Sequence, residues 1–271
     1  VQNPKTGAIS VKSSPIPMCN ENGVLVKTIY SLISSGTEKN TIMTSKQSLL
    51  GKASKRPDLV SKIVEYSKKE GILNAYKLVK DRLSIPLQLG YSCVGEVVEI
   101  GSKEQNIKVG DIVACAGAGF ATHAQINFIP SNLAVKVPAG VSLEDAVYST
   151  LGAIALQGVR QSSASIGESV CIIGMGLIGS LIAQLLKAMG CRLVYVDISD
   201  LALEEIERFV SCHDLKVNLS KDKGFNKIKS FTRGFGVDKV IISASSKDSS
   251  LIDYSAKILR DRGTLVILGD V

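Results

Sequence analysis

Ser169-Val170-Cys171-Ile172-Ile173-Gly174-Met175-Gly176-Leu177-Ile178-Gly179 runs from a continuous apolar stretch into a loop spaced G-x-G-x-x-G. The residues after it carry a helical stripe at Leu177, Leu181, Ile182, Leu185 and Leu186. The next β-pattern, Arg192 to Val196, is followed at once by Asp197. A glycine loop by itself serves ordinary turns. A strand before it, a helix after it and an acid closing the next strand are the context of a dinucleotide-binding βαβ unit.

Each part has a physical task. Gly174 permits the tight turn, Gly176 lets the backbone approach a pyrophosphate, and Gly179 lets helix and strand pack closely. The helix start, with Leu177 and Ile178, offers free N–H groups and a partial positive charge to phosphates. Asp197 can accept hydrogen bonds from both hydroxyls of an adenosine ribose and would repel a 2′-phosphate. Ile198-Ser199 supplies no cation after it, and Arg192 precedes the strand it would have to follow. The expected cofactor is therefore NAD, with NADP less suited.

The pattern outward from this unit alternates strand and helix. Toward the C-terminus the sequence predicts a helix over 200–211, a short strand at 216–219 and a weak helix at 224–232. A strand at 237–243, a helix at 249–260 and a strand at 264–268 follow. Toward the N-terminus, Ser142 and Asp145 form a capping pair for a helix running to about Arg160. Such alternation means a parallel sheet with crossover helices. Before Gly140 the rhythm is different. Asn22-Gly23 precedes the β-rich Val24 to Tyr30, and β-patterns return at Ser92 to Ile100, Asp111 to Cys115 and Phe128 to Val137. The fold class is α/β: a β-rich domain over 1–140, then a Rossmann doubly wound domain over 141–271.

Composition fits two domains. The chain has 271 residues, 45% hydrophobic and 21% charged, with 24 glycines. No apolar run reaches the ~20 residues of a membrane span, and no secretory signal pattern opens the chain. Six cysteines lack any C-x-x-C pairing and several lie in apolar runs, as thiols do in a reducing compartment, so the expected location is cytoplasmic. The formal net charge is +7, and ten Lys or Arg against four acids between Thr41 and Gly90 supply nearly all of it. Such local concentration argues against a nucleic-acid binder. That segment, about 41–88, predicts a helical insertion, with Pro57 opening one helix and Ile72, Leu73, Tyr76, Val79 and Leu83 striping another. Its cations either grip a phosphate-rich substrate or form the solvated faces of helices packed on the β domain or a partner.

Gly90-Tyr91-Ser92-Cys93-Val94-Gly95-Glu96-Val97-Val98, then Val109-Gly110-Asp111-Ile112-Val113, then the Rossmann unit together resemble the medium-chain dehydrogenase/reductase superfamily, relatives of zinc alcohol dehydrogenase. The resemblance covers nearly the whole chain and implies a GroES-like first domain. The insertion, Ser34-Ser35-Gly36-Thr37-Glu38 and the segment Thr150 to Gly158 look more specifically like bi-domain oxidoreductases encoded with bacterial surface-polysaccharide genes. There a second oxidoreductase half follows the first.

Superfamily members with a catalytic zinc carry Cys where this sequence has Ser35 and His-Glu where it has Tyr91-Ser92. Their third ligand falls near Thr150, which also counts among the cofactor-binding positions. Neutral hydroxyls are poor zinc ligands, so the resemblance implies neither a catalytic zinc nor, without a cysteine cluster, a structural one. Thr37 matches the relay hydroxyl, Tyr91 faces the same cleft and can act as an acid, and Glu38 matches an acidic position that could hold Lys39 or another cation. The bland alternative is that Ser35, Thr37, Glu38 and Tyr91 fill space and cap turns. His123 reads as structural or surface, and His213 as exposed.

Two functions follow. One is a zinc-independent NAD-dependent oxidoreductase moving hydride to or from an alcohol or carbonyl carbon, on a sugar or nucleotide sugar. The other is an idle dinucleotide-binding module or a fragment of a larger bi-domain enzyme, since the superfamily chain normally continues past Val271. Expected partners are a small-molecule substrate and either a second copy or an attached oxidoreductase half, without nucleic acid or membrane.

Overall fold

A computed structural model describes residues 1–45, 57–82, 85–246 and 248–269. The chain divides into two compact units, Val1–Thr150 and Leu151–Val271, parting in the first turn of a helix rather than at the glycine turn of Gly140.

The first unit is built on an antiparallel sheet of β1 (Gly23–Ser31), β2 (Ser92–Ile100), β3 (Ile112–Ala116), β4 (Ile126–Pro130) and β5 (Ala134–Lys136), in the order β4-β1-β2-β3-β5. Val24, Val26, Cys93, Val97, Val113, Cys115 and Ile129 fill its core. Gly95 in mid-strand has a reason: a Cβ there would lie 2.2 Å from the Lys27 carbonyl oxygen of β1. Between β1 and β2 stand α1 (Ser35–Ser45), α2 (Pro57–Glu70) and α3 (Ile72–Arg82).

The two helices expected in the insertion are present and pack against each other. Lys62, Lys68, Lys69, Lys77 and Lys80 are exposed. Their apolar stripe is not buried as expected, however. Ile72, Leu73 and Tyr76 are 80%, 85% and 65% exposed, and Ala75 is the buried residue of α3. Lys46, Lys52, Lys55, Arg56 and Leu83 lie outside the described residues.

The helix expected from Ser142 to Arg160 is two helices, α4 (Leu143–Ala146) and α5 (Ser149–Ser162). Ser142 caps as its spacing predicts, its hydroxyl accepting the Asp145 amide at 3.1 Å. The break falls where the Ser92 hydroxyl donates to the Val147 carbonyl at 2.6 Å, taking an acceptor that a continuous helix would have used.

The second unit is a parallel sheet of β6 (Ser169–Ile173), β7 (Arg192–Asp197), β8 (Leu215–Asn218), β9 (Val237–Ile242) and β10 (Leu259–Ile267), in the order β10-β9-β6-β7-β8. The central strand is buried along its whole length, as a strand with helices on both faces must be. α6 (Leu177–Ala188) lays Ile182, Ala183 and Leu186 on the core. α7 (Asp200–Glu205), α8 (Phe225–Phe231) and α9 (Ser250–Ile258) complete the unit.

Two expectations fail in detail. The helix over 200–211 stops at Glu205, because Asp214 captures the Ser211 amide at 2.9 Å and the Leu193 amide at 3.0 Å and draws the chain to the sheet. The last strand starts at Leu259, not Thr264: Leu259 already pairs with Val237, and a bulge separates that pair from Thr264 opposite Lys239.

Candidate functional site

In the second unit the glycine loop joins β6 to α6 at the point where the strand order reverses, between β6 and β9. Ligands of open α/β sheets bind at such a crevice. Two glycines are required by packing. A Cβ on Gly174, whose φ is +97°, would sit 2.7 Å from the Ala244 nitrogen beyond β9. A Cβ on Gly179 would sit 1.8 Å from the Gly174 oxygen. Gly176 is different: nothing stands within 4 Å of a Cβ built there, so the space beside it is open.

Gly176 is also the N-cap of α6 and makes no side-chain cap. Helix geometry leaves the amides of Leu177, Ile178 and Gly179 pointing out of the first turn. An uncapped helix start beside a glycine with open space fits a pyrophosphate.

Asp197 ends β7 as expected, and its carboxylate is fixed. Oδ2 accepts the Met175 amide at 2.7 Å, while Oδ1 accepts those of Ile198 and Ser199 at 2.7 and 2.9 Å. The acid thus holds the glycine loop from across the sheet end; Oδ1 is filled by its two amides, while Oδ2 retains a lone pair for a hydroxyl.

The first unit gathers a polar cluster of its own. Glu38, in the first turn of α1, accepts the Ser34 amide at 3.2 Å and lies 3.1 Å from Nε2 of His123. The other ring nitrogen, Nδ1, is 2.9 Å from the Ser31 hydroxyl. The Glu38 and His123 side chains are 13% and 25% exposed, so the pair is sheltered yet reachable. Gly90, at φ +91°, presses on the ring: a Cβ there would be 2.9 Å from the His123 Cε1. The Ser34 hydroxyl donates to Thr37 Oγ1 at 3.4 Å, which places Thr37 beside the same cluster.

A second group lies on β2 and α5. Ser92 Oγ is 2.9 Å from Thr150 Oγ1, and Thr150 in turn donates toward the Cys115 carbonyl at 3.4 Å. Tyr91 is half-buried; its carbonyl accepts the Gly117 amide at 2.9 Å, and its hydroxyl has no hydrogen bond among the described residues. The Ser35 side chain lies outside the described residues.

Of the expected residues, Thr37 and Glu38 meet in one cluster, and Thr150 sits with Ser92. The expectation for Glu38 was a cation such as Lys39; its partner is His123. No local motif marks His123 as more than a structural or surface residue, because its partners are 85 and 92 positions away. His213 is exposed, as its sequence position suggested.

Residues 152–220 match the family described as D-isomer specific 2-hydroxyacid dehydrogenase, NAD binding domain. The chain is 29% identical over 221 residues to the probable D-xylulose reductase A of Neosartorya fischeri, covering 70% of this chain and 60% of that one. It is 34% identical over 107 residues to the D-guloside 3-dehydrogenase of Shigella flexneri, covering 40% and 30%. Its fold superposes on the alcohol dehydrogenase TADH of Thermus sp. ATN1 with a TM-score of 0.73 at 17% identity, covering 99% of this chain and 76% of that one. The fold, a GroES-like antiparallel sheet followed by a parallel Rossmann sheet, is the one found in medium-chain dehydrogenases/reductases. The chain spans 60% of the length of the xylulose reductase it matches. No helix among the described residues is long and apolar enough to cross a membrane.

Proposed function

We propose that this chain is an NAD-dependent oxidoreductase that interconverts an alcohol and a carbonyl on a carbohydrate-like substrate without a catalytic zinc. The observation that carries this reading is the contrast within the glycine loop: Gly174 and Gly179 are packed tight, while Gly176 opens onto free space at an uncapped helix start.

Gly176, Leu177 and Ile178 would bind the pyrophosphate through backbone amides, and Asp197 Oδ2 would accept an adenosine ribose hydroxyl. The dinucleotide supplies the hydride acceptor or donor. The chain must then manage one proton for each hydride moved. His123, held between Glu38 and Ser31, is the group in the first unit equipped for that. Glu38 fixes the ring by accepting from Nε2–H and stabilises the imidazolium formed when Nδ1 takes the Ser31 hydroxyl proton as Ser31 takes one from the substrate hydroxyl. Thr37, whose Oγ1 accepts from the Ser34 hydroxyl, stands beside this pair; Tyr91, whose hydroxyl makes no hydrogen bond among the described residues, is the alternative donor to a carbonyl oxygen.

Zinc independence rests on donor chemistry: the corresponding positions Tyr91-Ser92 and Thr150 offer hydroxyls, and Ser92 spends its own on Val147 and Thr150. A carbohydrate is favoured because the reductase and dehydrogenase relatives are named for a pentulose and a guloside. An attached oxidoreductase half, as in the bi-domain enzymes, is part of the same reading, as is a cytoplasmic site of action.

A second reading, an idle dinucleotide-binding module, is favoured by one observation. Ser92 and Thr150 turn their hydroxyls onto backbone carbonyls and each other rather than outward.

The deciding experiment titrates the chain with NADH and NADPH by nicotinamide fluorescence, which no tryptophan complicates. Tighter NADH binding, lost in Asp197→Ala, supports the cofactor assignment. Oxidation of a sugar alcohol, slowed in His123→Gln, then separates the enzyme from the idle module. Failure to bind either cofactor sinks both readings.

A further inference from the structure

At the amino ends of the parallel strands, opposite the glycine loop, the second unit holds a cleft of about 880 Å³. It is lined where the strands begin: Ser169 of β6, Arg192 of β7, Asp238 of β9 and Arg260 of β10. The glycine loop lies at the other end of β6, about 17 Å away at ~3.3 Å per residue. The dinucleotide site accounts for none of these residues.

The strongest signal is Arg233. α8 ends in a Schellman motif: the Gly234 amide donates to the Lys229 carbonyl at 2.7 Å and the Arg233 amide to the Ser230 carbonyl at 3.1 Å. The residue after the C-cap of such a motif is left-handed and is ordinarily glycine. Here it is Arg233, at φ +55°. Arg262, in the β10 bulge two residues after the cleft-lining Arg260, is left-handed too, at φ +58°. Among the described residues the third non-glycine with positive φ is Ser163. Arginine has no side-chain hydrogen bond that eases this conformation, so its presence where glycine would serve points to the guanidinium.

That guanidinium is uncommitted. Arg233 is exposed and makes no side-chain hydrogen bond or ion pair among the described residues. The neighbouring charges are largely engaged. Arg260 Nε donates to Asp238 at 2.6 Å, and Asp238 also accepts the Ser169 amide and hydroxyl, both at 2.8 Å. Arg192 stacks its guanidinium 5.0 Å from the Phe231 ring centroid. Asp238 is thereby neutralised, which leaves Arg192 and Arg233 as the cleft's available cations, with Asp261 an exposed acid at its edge.

Beside them Phe235 is 78% exposed, on the loop between Gly234 and Gly236. It walls both this cleft and an adjoining recess of about 390 Å³ that contains Lys229 and Lys257. An exposed aromatic ring flanked by cations on both sides suits a ligand with a flat base and phosphates. The volume suits one small molecule.

We propose that this cleft is a second ligand site for a mononucleotide, separate from the dinucleotide site, with the base against Phe235 and the phosphates on Arg233 and Arg192. Asp261 would accept a ribose hydroxyl. The proposal does not depend on the oxidoreductase reading, because both its residues and its readout lie away from the glycine loop.

The test is calorimetric titration of the chain with UDP, a pyrimidine nucleotide, with and without saturating NADH. Pyrophosphate, uridine and a single-stranded oligonucleotide serve as separate probes. Saturable UDP binding of the same affinity in both conditions is expected. Arg233→Gly should weaken it at least tenfold while leaving the melting temperature unchanged or higher, since glycine suits φ +55°. Phe235→Ala should weaken it severalfold. Several results overturn the proposal: no saturable UDP binding, displacement of UDP by NADH, or affinity unmoved in Arg233→Gly. Pyrophosphate binding as tightly as UDP, with Phe235→Ala silent, would mark a plain phosphate site instead. Tighter binding of the oligonucleotide would mark a nucleic-acid surface.

Discussion

Glu38 Oε1 lies 3.1 Å from Nε2 of His123, and the two side chains reach each other across 85 positions of sequence. The pair is anchored at both ends, by the Ser34 amide on Glu38 and the Ser31 hydroxyl on the far ring nitrogen. Such a relay defines the orientation of the imidazole before any substrate arrives, which is what a proton-transfer group requires.

The pair should therefore behave as one unit. Glu38→Gln and His123→Gln are each expected to lower kcat at least tenfold while leaving the NADH dissociation constant within twofold, and the double variant should be no worse than the slower single one. For stability, a double-mutant cycle should give a coupling of about 1 kcal/mol, the net value of a sheltered polar contact. Additive losses in kcat would show that the two residues act separately, and the relay would have to be abandoned.

The two glycines of the loop make a sharper contrast. Gly179→Ala forces a methyl to 1.8 Å from a backbone oxygen, which cannot move aside without shifting β6 against α6. A loss of roughly 2 kcal/mol or more is expected, with cofactor binding abolished. Gly176→Ala meets nothing in the chain itself. It should leave the melting temperature within a degree or two yet weaken NADH at least tenfold, because the methyl occupies the space assigned to the pyrophosphate. Thermal unfolding paired with fluorescence titration reads both. Full NADH affinity in Gly176→Ala would mean that the open space is not where the phosphates lie.

Much of this loop was legible in the sequence, because its signals are local: an apolar run, three glycines at fixed spacing and a helical stripe within a few turns. The His123 site was not, since nothing near Gly117 to Thr122 announces a contact with Glu38. The same distinction explains the errors in element length. Leu259 reads as the end of a helix until Val237 is known to lie beside it. The helix after Asp200 looks long until Asp214 takes the Ser211 and Leu193 amides. Likewise the break before Ser149 depends on a hydroxyl from β2. The exposed apolar stripe of α3 is a different failure: periodicity reports that a face is apolar, not that anything covers it.

Asp197 has two tasks, and its variants should separate them. Asp197→Asn keeps one carbonyl oxygen for the Met175 amide or for Ile198 and Ser199, but not for both. It should cost about 1–2 kcal/mol of stability and weaken NADH several-fold. Asp197→Ala, with no acceptor, should do more of each. NADPH, disfavoured by the carboxylate charge in the parent chain, should lose less than NADH in either variant. A parent chain that binds NADPH more tightly than NADH would refute the role given to this acid.

Asp214 sets the acid limit of the second unit. Its carboxylate is fully buried and paired with Lys187, while the Ser211 and Leu193 amides donate to it. Burial alone would raise its pKa, but the hydrogen bonds from Lys187, Ser211 and Leu193 outweigh that and hold the carboxyl below its ordinary range. A depressed folded-state value contributes stability that is fully present above the unfolded carboxylate pKa of about 3.9 and is lost as pH falls through the folded value. Asp238, lowered despite its burial by the Ser169 amide and Arg260, acts in the same direction. Asp214→Asn should therefore destabilise the chain by about 2–3 kcal/mol at pH 7, since it strands the Lys187 charge and one amide. The difference from the parent should shrink steadily below pH 4. Urea unfolding of both proteins between pH 3 and 7 measures it, and two curves that stay parallel down to pH 3 would remove Asp214 from the account of acid stability.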